Sequence, residues 1–181
     1  MYKVFARAGI RNFNVVCDNS VPPRDTESKS FVKECVKMIE DDTIKLLREC
    51  NAGVKMGITS LDDVMDHVRD QNLKNLLIQS KETHSKLGSE THQYLMKCQD
   101  DGKEPGTMAK MMSWMKTNMK LGGEDSDRVV ADLVTDGCNM GVKFLYKYLH
   151  QYPAADQDSK KLTEKIIHAE ETLIKDLREY L

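Results

Sequence analysis

Cys50-Asn51-Ala52-Gly53-Val54-Lys55 returns, with one change, as Cys138-Asn139-Met140-Gly141-Val142-Lys143. Each copy lies midway along a helical run, and the flanking positions agree in character, Leu46 with Val134 and Leu61 with Leu149. A match of this kind implies two helical hairpins related by an approximate two-fold axis. Small residues at a helix crossing let two backbones approach. The repeated glycines therefore predict close packing of the first helix on the third.

Working outward from the first copy, Ile39, Thr43, Leu46, Cys50, Val54, Ile58, Leu61, Met65 and Val68 recur at steps of three and four. That spacing puts them on one face of a helix beginning near Phe31. Gly53 and Gly57 interrupt it, each at a cost of about 1 kcal/mol relative to alanine, so they call for a packing reason. Asp70 is a good N-cap for a second helix. Leu73, Leu77, Ser80, His84, Leu87, Thr91, Tyr94 and Cys98 then form a heptad-like seam that stops at Asp100-Asp101-Gly102.

Around the second copy, a helix starting near Ser126 carries Val130, Leu133, Val134, Gly137, Gly141, Phe144, Leu145 and Tyr148, and stops before Pro153. The last helix begins near Asp156 and presents Leu162, Ile166, Ala169, Leu173, Leu177 and Tyr180. A shorter helix is expected over 107–121, between Pro105-Gly106 and Gly122-Gly123. The predicted fold is all-α: an antiparallel four-helix bundle with a short crossover helix between helices 2 and 3.

Residues 1–29 read differently, with a basic start (Lys3, Arg7, Arg11), a polar stretch and Pro22-Pro23. They are expected to be a flexible or irregular N-terminal extension, leaving 30–181 as the bundle. The 181 residues, 40% hydrophobic and 31% charged, suit one domain with a sizeable core. A net charge of −2 supplies no basic surface for nucleic acid. No apolar run is long enough for a membrane span. The five cysteines, Cys17, Cys35, Cys50, Cys98 and Cys138, are odd in number and widely spaced. Free thiols and a cytoplasmic location are the expectation.

Few residues invite chemistry. Cys50, His84 and Cys138 all fall on inward faces and are candidates for a soft site holding iron or zinc, or for a redox thiol pair. The plainer reading makes both cysteines small buried apolar groups and has His84 bond a serine, an asparagine or a carbonyl. Met108, Met111, Met112, Met115 and Met119, with Trp114 beside them, form a stripe. It reads either as an adaptable partner-binding face or as a crossover helix packed on the bundle. Glu164, Lys165, Glu170, Glu171 and Lys175 read as a solvated face, and Glu82, Glu90 and His92 as surface charge. Phosphate-loop and G-x-S-x-G motifs are absent from the sequence.

The two-hairpin pattern, the repeat and Trp114-Met115 in the crossover resemble the ferritin-like superfamily over about residues 33–181, in particular an uncharacterised, rubrerythrin-related bacterial branch. Metal-binding members gather a carboxylate from each of two helices and a Glu-x-x-His from each of the others. By that resemblance, counting back seven residues from Tyr146 puts Asn139 at a ligand position, and the repeat puts Asn51 at its counterpart. Both are neutral amides. Lys81 stands three residues before His84, Glu164 and His168 are four apart, and no Glu-x-x-His occurs in the chain. The dinuclear carboxylate site is therefore missing as a motif, and no cofactor is expected.

Three functions follow from this reading. The first is a non-enzymatic bundle with a degenerate metal site, acting through self-association or a protein partner. The second is a metal-binding or redox protein using Cys50, His84 and Cys138. The third is small-molecule binding in the core between glycine-thinned helices. They predict, respectively, a dry apolar interior, converging ligands, and a sizeable cavity.

Overall fold

The computed structural model describes residues 26–102 and 126–181, with side chains from residue 32 onward. Among these residues the chain forms four helices and no strand: α1 (Thr26–Met65), α2 (Gln71–Lys97), α3 (Ser126–Gln151) and α4 (Gln157–Asp176). A 3-10 turn over Leu177–Tyr180 follows α4. The expected helices are present with close boundaries. The exception is α1, which starts at Thr26 and so takes in residues assigned to the N-terminal extension. The short helix expected over 107–121 and the extension up to residue 25 lie outside the described residues.

At 40 residues α1 is about 60 Å long, against about 40 Å for the 27-residue α2. Its burial begins at Thr43. Val32, Val36 and Met38, earlier on α1, are exposed. Arg48 pairs with Asp100, Val54 lies against Gly88, Gly57 against His84, and Asp62 pairs with Lys81. Residue numbers that climb on α1 thus fall on α2.

Helix ends are held by the groups that local chemistry predicts. The first N–H groups of a helix lack intrahelical partners and need acceptors. Asp70 accepts from the Leu73 amide at 2.8 Å, and Asp156 from the Ser159 amide at 2.7 Å. Both connecting turns are also latched to a third helix. Asp127 of α3 accepts from the backbone amides of Arg69 and Asp70, at 2.7 and 3.1 Å. Asp42 and Thr43 of α1 accept from the amides of Ala154 and Asp156, at 3.0 and 2.9 Å. The end of α2 closes with Gln99 at φ 56°, the amide of Asp100 reaching the Leu95 carbonyl at 3.0 Å and that of Gln99 the Met96 carbonyl at 3.1 Å. This left-handed position normally favours glycine. Asp100 is fastened next to it by the Arg48 guanidinium.

The apolar core falls into two clusters. One gathers Leu61, Val64, Leu73, Leu77, Val130, Val134, Leu173 and Leu177. It joins the end of α1, the start of α2, the start of α3 and the end of α4. The other gathers Leu46, Leu47, Val54, Leu87, Leu95, Leu145, Leu162 and Ile166 from the opposite portions of the same helices. The functional interest lies at the level between them. No described helix is long and apolar enough to cross a membrane.

Candidate functional site

Between the two clusters is a cavity of about 160 Å³. Its walls include Cys50, Gly53 and Gly57 of α1, His84 of α2, Gly137, Cys138 and Gly141 of α3, and Glu170 of α4. Most of the remaining lining is apolar. Half-buried Gly53, Met56 and Met140 and exposed Phe144 place its opening to solvent between α1 and α3.

The glycines explain why space exists here. A methyl group built on Gly53 or Gly137 would meet nothing within 4 Å. Of the repeat's own glycines, Gly53 meets nothing and Gly141 meets Glu170 of α4, so neither brings α1 against α3, which corrects the close approach expected from the repeat. Gly53 and Gly137 leave the mid-bundle unfilled instead. Gly57 and Gly141 act differently. A Cβ on Gly57 would stand 3.1 Å from Cδ2 of His84, and one on Gly141 would stand 3.5 Å from Oε1 of Glu170. Each therefore backs one half of a buried polar pair.

That pair is His84 with Glu170, Nε2 to Oε1 at 3.2 Å. Glu170 was expected on the solvated face of the last helix and is instead buried. The buried stripe of α4 runs Ser159, Leu162, Thr163, Ile166, Ile167, Glu170, Leu173. Glu170 occupies its regular next step, four after Ile166 and three before Leu173. That signal was present in the sequence and was masked by residue type. The other members assigned to that face, Glu164, Lys165, Glu171 and Lys175, are exposed, as are Glu82, Glu90, His92 and His168.

The protons of the pair can be counted. Nδ1 of His84 lies 2.8 Å from the Ser80 carbonyl, which can only accept, so Nδ1 carries a hydrogen. Nε2 then either donates to a Glu170 carboxylate or accepts from its carboxylic acid. In both forms the pair is neutral as a unit. Burial works against a charged His84, but Glu170, by hydrogen bond and charge, and the Ser80 carbonyl outweigh it, so its pKa is raised above 6.5.

Both cavity thiols are held protonated. Burial pushes Cys50 up to about 12, with its contact to Thr163 partly opposing. Thr163 donates its hydroxyl hydrogen to the Ser159 carbonyl at 2.8 Å, which leaves its oxygen, 3.2 Å from Cys50 Sγ, to accept from the thiol. Cys138 is raised well above its ordinary value, by burial first and then by the charge of Glu170. Thiolates are the form that binds soft metals and does redox chemistry. These two environments oppose that form.

Cys50, His84 and Cys138 thus share one cavity without converging as ligands: Thr163 takes Cys50, and Glu170 stands between His84 and Cys138, meeting both. No group of three or more His, Cys, Asp or Glu able to hold a metal occurs among the described residues. The ligand positions implied by the ferritin-like resemblance do not converge either. Asn51 is buried against Gly102 at the α1–α2 side, its Nδ2 without a hydrogen-bond partner, and Asn139 is exposed. Neither lines the cavity. The donor set therefore does not fit a dinuclear iron or zinc centre. Met108, Met111, Met112, Trp114, Met115 and Met119 lie outside the described residues.

Glu49, a half-buried carboxylate lining the cavity beside Cys50, was not singled out in the sequence, because charge hid it within the helical pattern. Compared with known proteins, the chain matches no family model and shows no significant similarity to any curated sequence or solved structure.

Proposed function

We propose that the chain is a non-enzymatic helical bundle, in a ferritin-like antiparallel arrangement without the metal centre, that binds a small apolar molecule in its mid-bundle cavity. The arrangement is supported by the opposed order of contacts along α1 and α2 and by the way the two core clusters pair helix ends. The end of α2 and the start of α3 lie in different clusters, at opposite ends of the bundle, as a crossover between them requires. The observation that carries the binding role is the open space in front of Gly53 and Gly137. In a purely structural bundle, larger side chains would fill it. Left unfilled, the 160 Å³ hollow leaves apolar lining uncovered that a packed core would bury. A cavity of about this size, lined by apolar side chains, accommodates a benzene-sized molecule.

The test is saturable binding of toluene to the full chain, followed by amide chemical shifts. Shifts clustered on the lining residues, and lost in Gly53→Leu while that variant stays folded, support the role. Unchanged spectra at saturating toluene, or shifts that survive Gly53→Leu intact, refute it.

A further inference from the structure

The charge around the cavity is one-sided. Among the described residues no lysine or arginine lines it, whereas Glu49 and Glu170 do. His84 neutralises Glu170 within the pair described above. Glu49 has no cationic partner among the described residues, whose ion pairs are Arg48–Asp100, Lys81–Asp62, His84–Glu170, Lys161–Asp158 and Lys165–Glu90; it accepts from the Tyr148 phenol instead. The guanidinium next to it in sequence is thus turned to Asp100, just past the end of α2. The Glu49 charge is felt by its surroundings. Burial and then that charge raise the Tyr148 phenol to about 12.

A half-buried carboxylate facing a largely apolar chamber favours a cation there, and disfavours a second anion. Aromatic faces add to that preference. Phe144 and Tyr148 line the cavity and stack with centroids 6.3 Å apart and planes 20° from parallel.

Resting on the cavity reading above, we propose that the ligand is a small hydrophobic amine. Its apolar body fills the space before Gly53 and Gly137, and its ammonium pairs with Glu49 beside Tyr148. Carboxylate-bearing molecules of the same size are rejected by the same charge.

Calorimetric titration of the full chain at pH 7 and low salt separates the possibilities, using phenethylammonium, phenylpropionate and ethylbenzene as probes of similar bulk. The ammonium is expected to bind about tenfold or more tightly than the carboxylate, a difference of about 1.4 kcal/mol. Glu49→Gln should shrink that ratio to about threefold or less and leave ethylbenzene unchanged. Ethylbenzene binding without preference for the ammonium overturns this inference and leaves the cavity reading standing. A preference that persists in Glu49→Gln overturns the pairing with Glu49. No binding by any of the three overturns both readings.

Discussion

Replacing glycine by alanine at three mid-helix positions should give opposite results. Gly53 and Gly137 are half-buried, and a Cβ on either would face open space. Alanine there recovers the helix propensity lost to glycine, about 1 kcal/mol. It also shelters part of a methyl group, whose full burial would contribute about 0.8 kcal/mol. We expect Gly53→Ala and Gly137→Ala each to stabilise the fold by about 1–1.5 kcal/mol. At Gly57 the same propensity gain is opposed, because the new Cβ would lie 3.1 Å from Cδ2 of His84. That ring is held at both nitrogens, by the Ser80 carbonyl and by Glu170, and cannot yield freely. Overpacking typically costs about 1–3 kcal/mol, so Gly57→Ala should come out neutral to about 2 kcal/mol destabilised. Urea denaturation followed by far-UV circular dichroism measures each difference. For a chain of this size, each kcal/mol corresponds to about 2–4 °C in Tm. If Gly53→Ala and Gly137→Ala destabilise as much as Gly57→Ala, the helices touch at those positions and the cavity reasoning fails.

The His84–Glu170 pair predicts a pH dependence with a definite sign. The folded-state pKa of His84 lies above its ordinary 6.5, so the stability it contributes is complete below 6.5 and is lost as pH rises through the raised value. Denaturation curves should show wild-type stability falling in the window just above pH 6.5, and His84→Gln should flatten that fall. An imidazole midpoint below 6.5 by proton NMR would contradict the pairing. The thiols supply a separate check. Cys50, raised to about 12, and Cys138, raised well above its ordinary value, should resist an aromatic disulfide reagent at pH 7 until the protein unfolds. Rapid native-state labelling of either, mapped by mass spectrometry, would place it in a different environment.

Local chemistry made most of the architecture legible. The three-and-four spacing located four helices, Asp70 marked the start of α2 as an N-cap, and Pro153 marked the end of α3. Each of these signals acts within one or two helical turns, so a sequence displays it directly. The repeat around Gly53 and Gly141 also correctly pointed to mid-bundle, since both copies line the cavity. It did not show what the glycines do. Open space and close contact make the same demand on residue size, and only the distance to the neighbouring helix separates them.

The sequence by itself determined the helices, their caps and the apolar stripe on each, because these depend on backbone hydrogen bonding and on periodicity along one element. Tertiary structure decided which residues at the edge of a stripe turn inward. Glu170 is buried beside half-buried Ala169, Asn51 is buried while Asn139 is exposed, and Cys50 pairs with Thr163 away from His84. Neighbours on a helix differ by about 100° in direction, so a modest rotation imposed by packing exchanges an exposed position for a buried one. That rotation is set jointly by the side chains of all four helices, and no single stretch of the chain contains it.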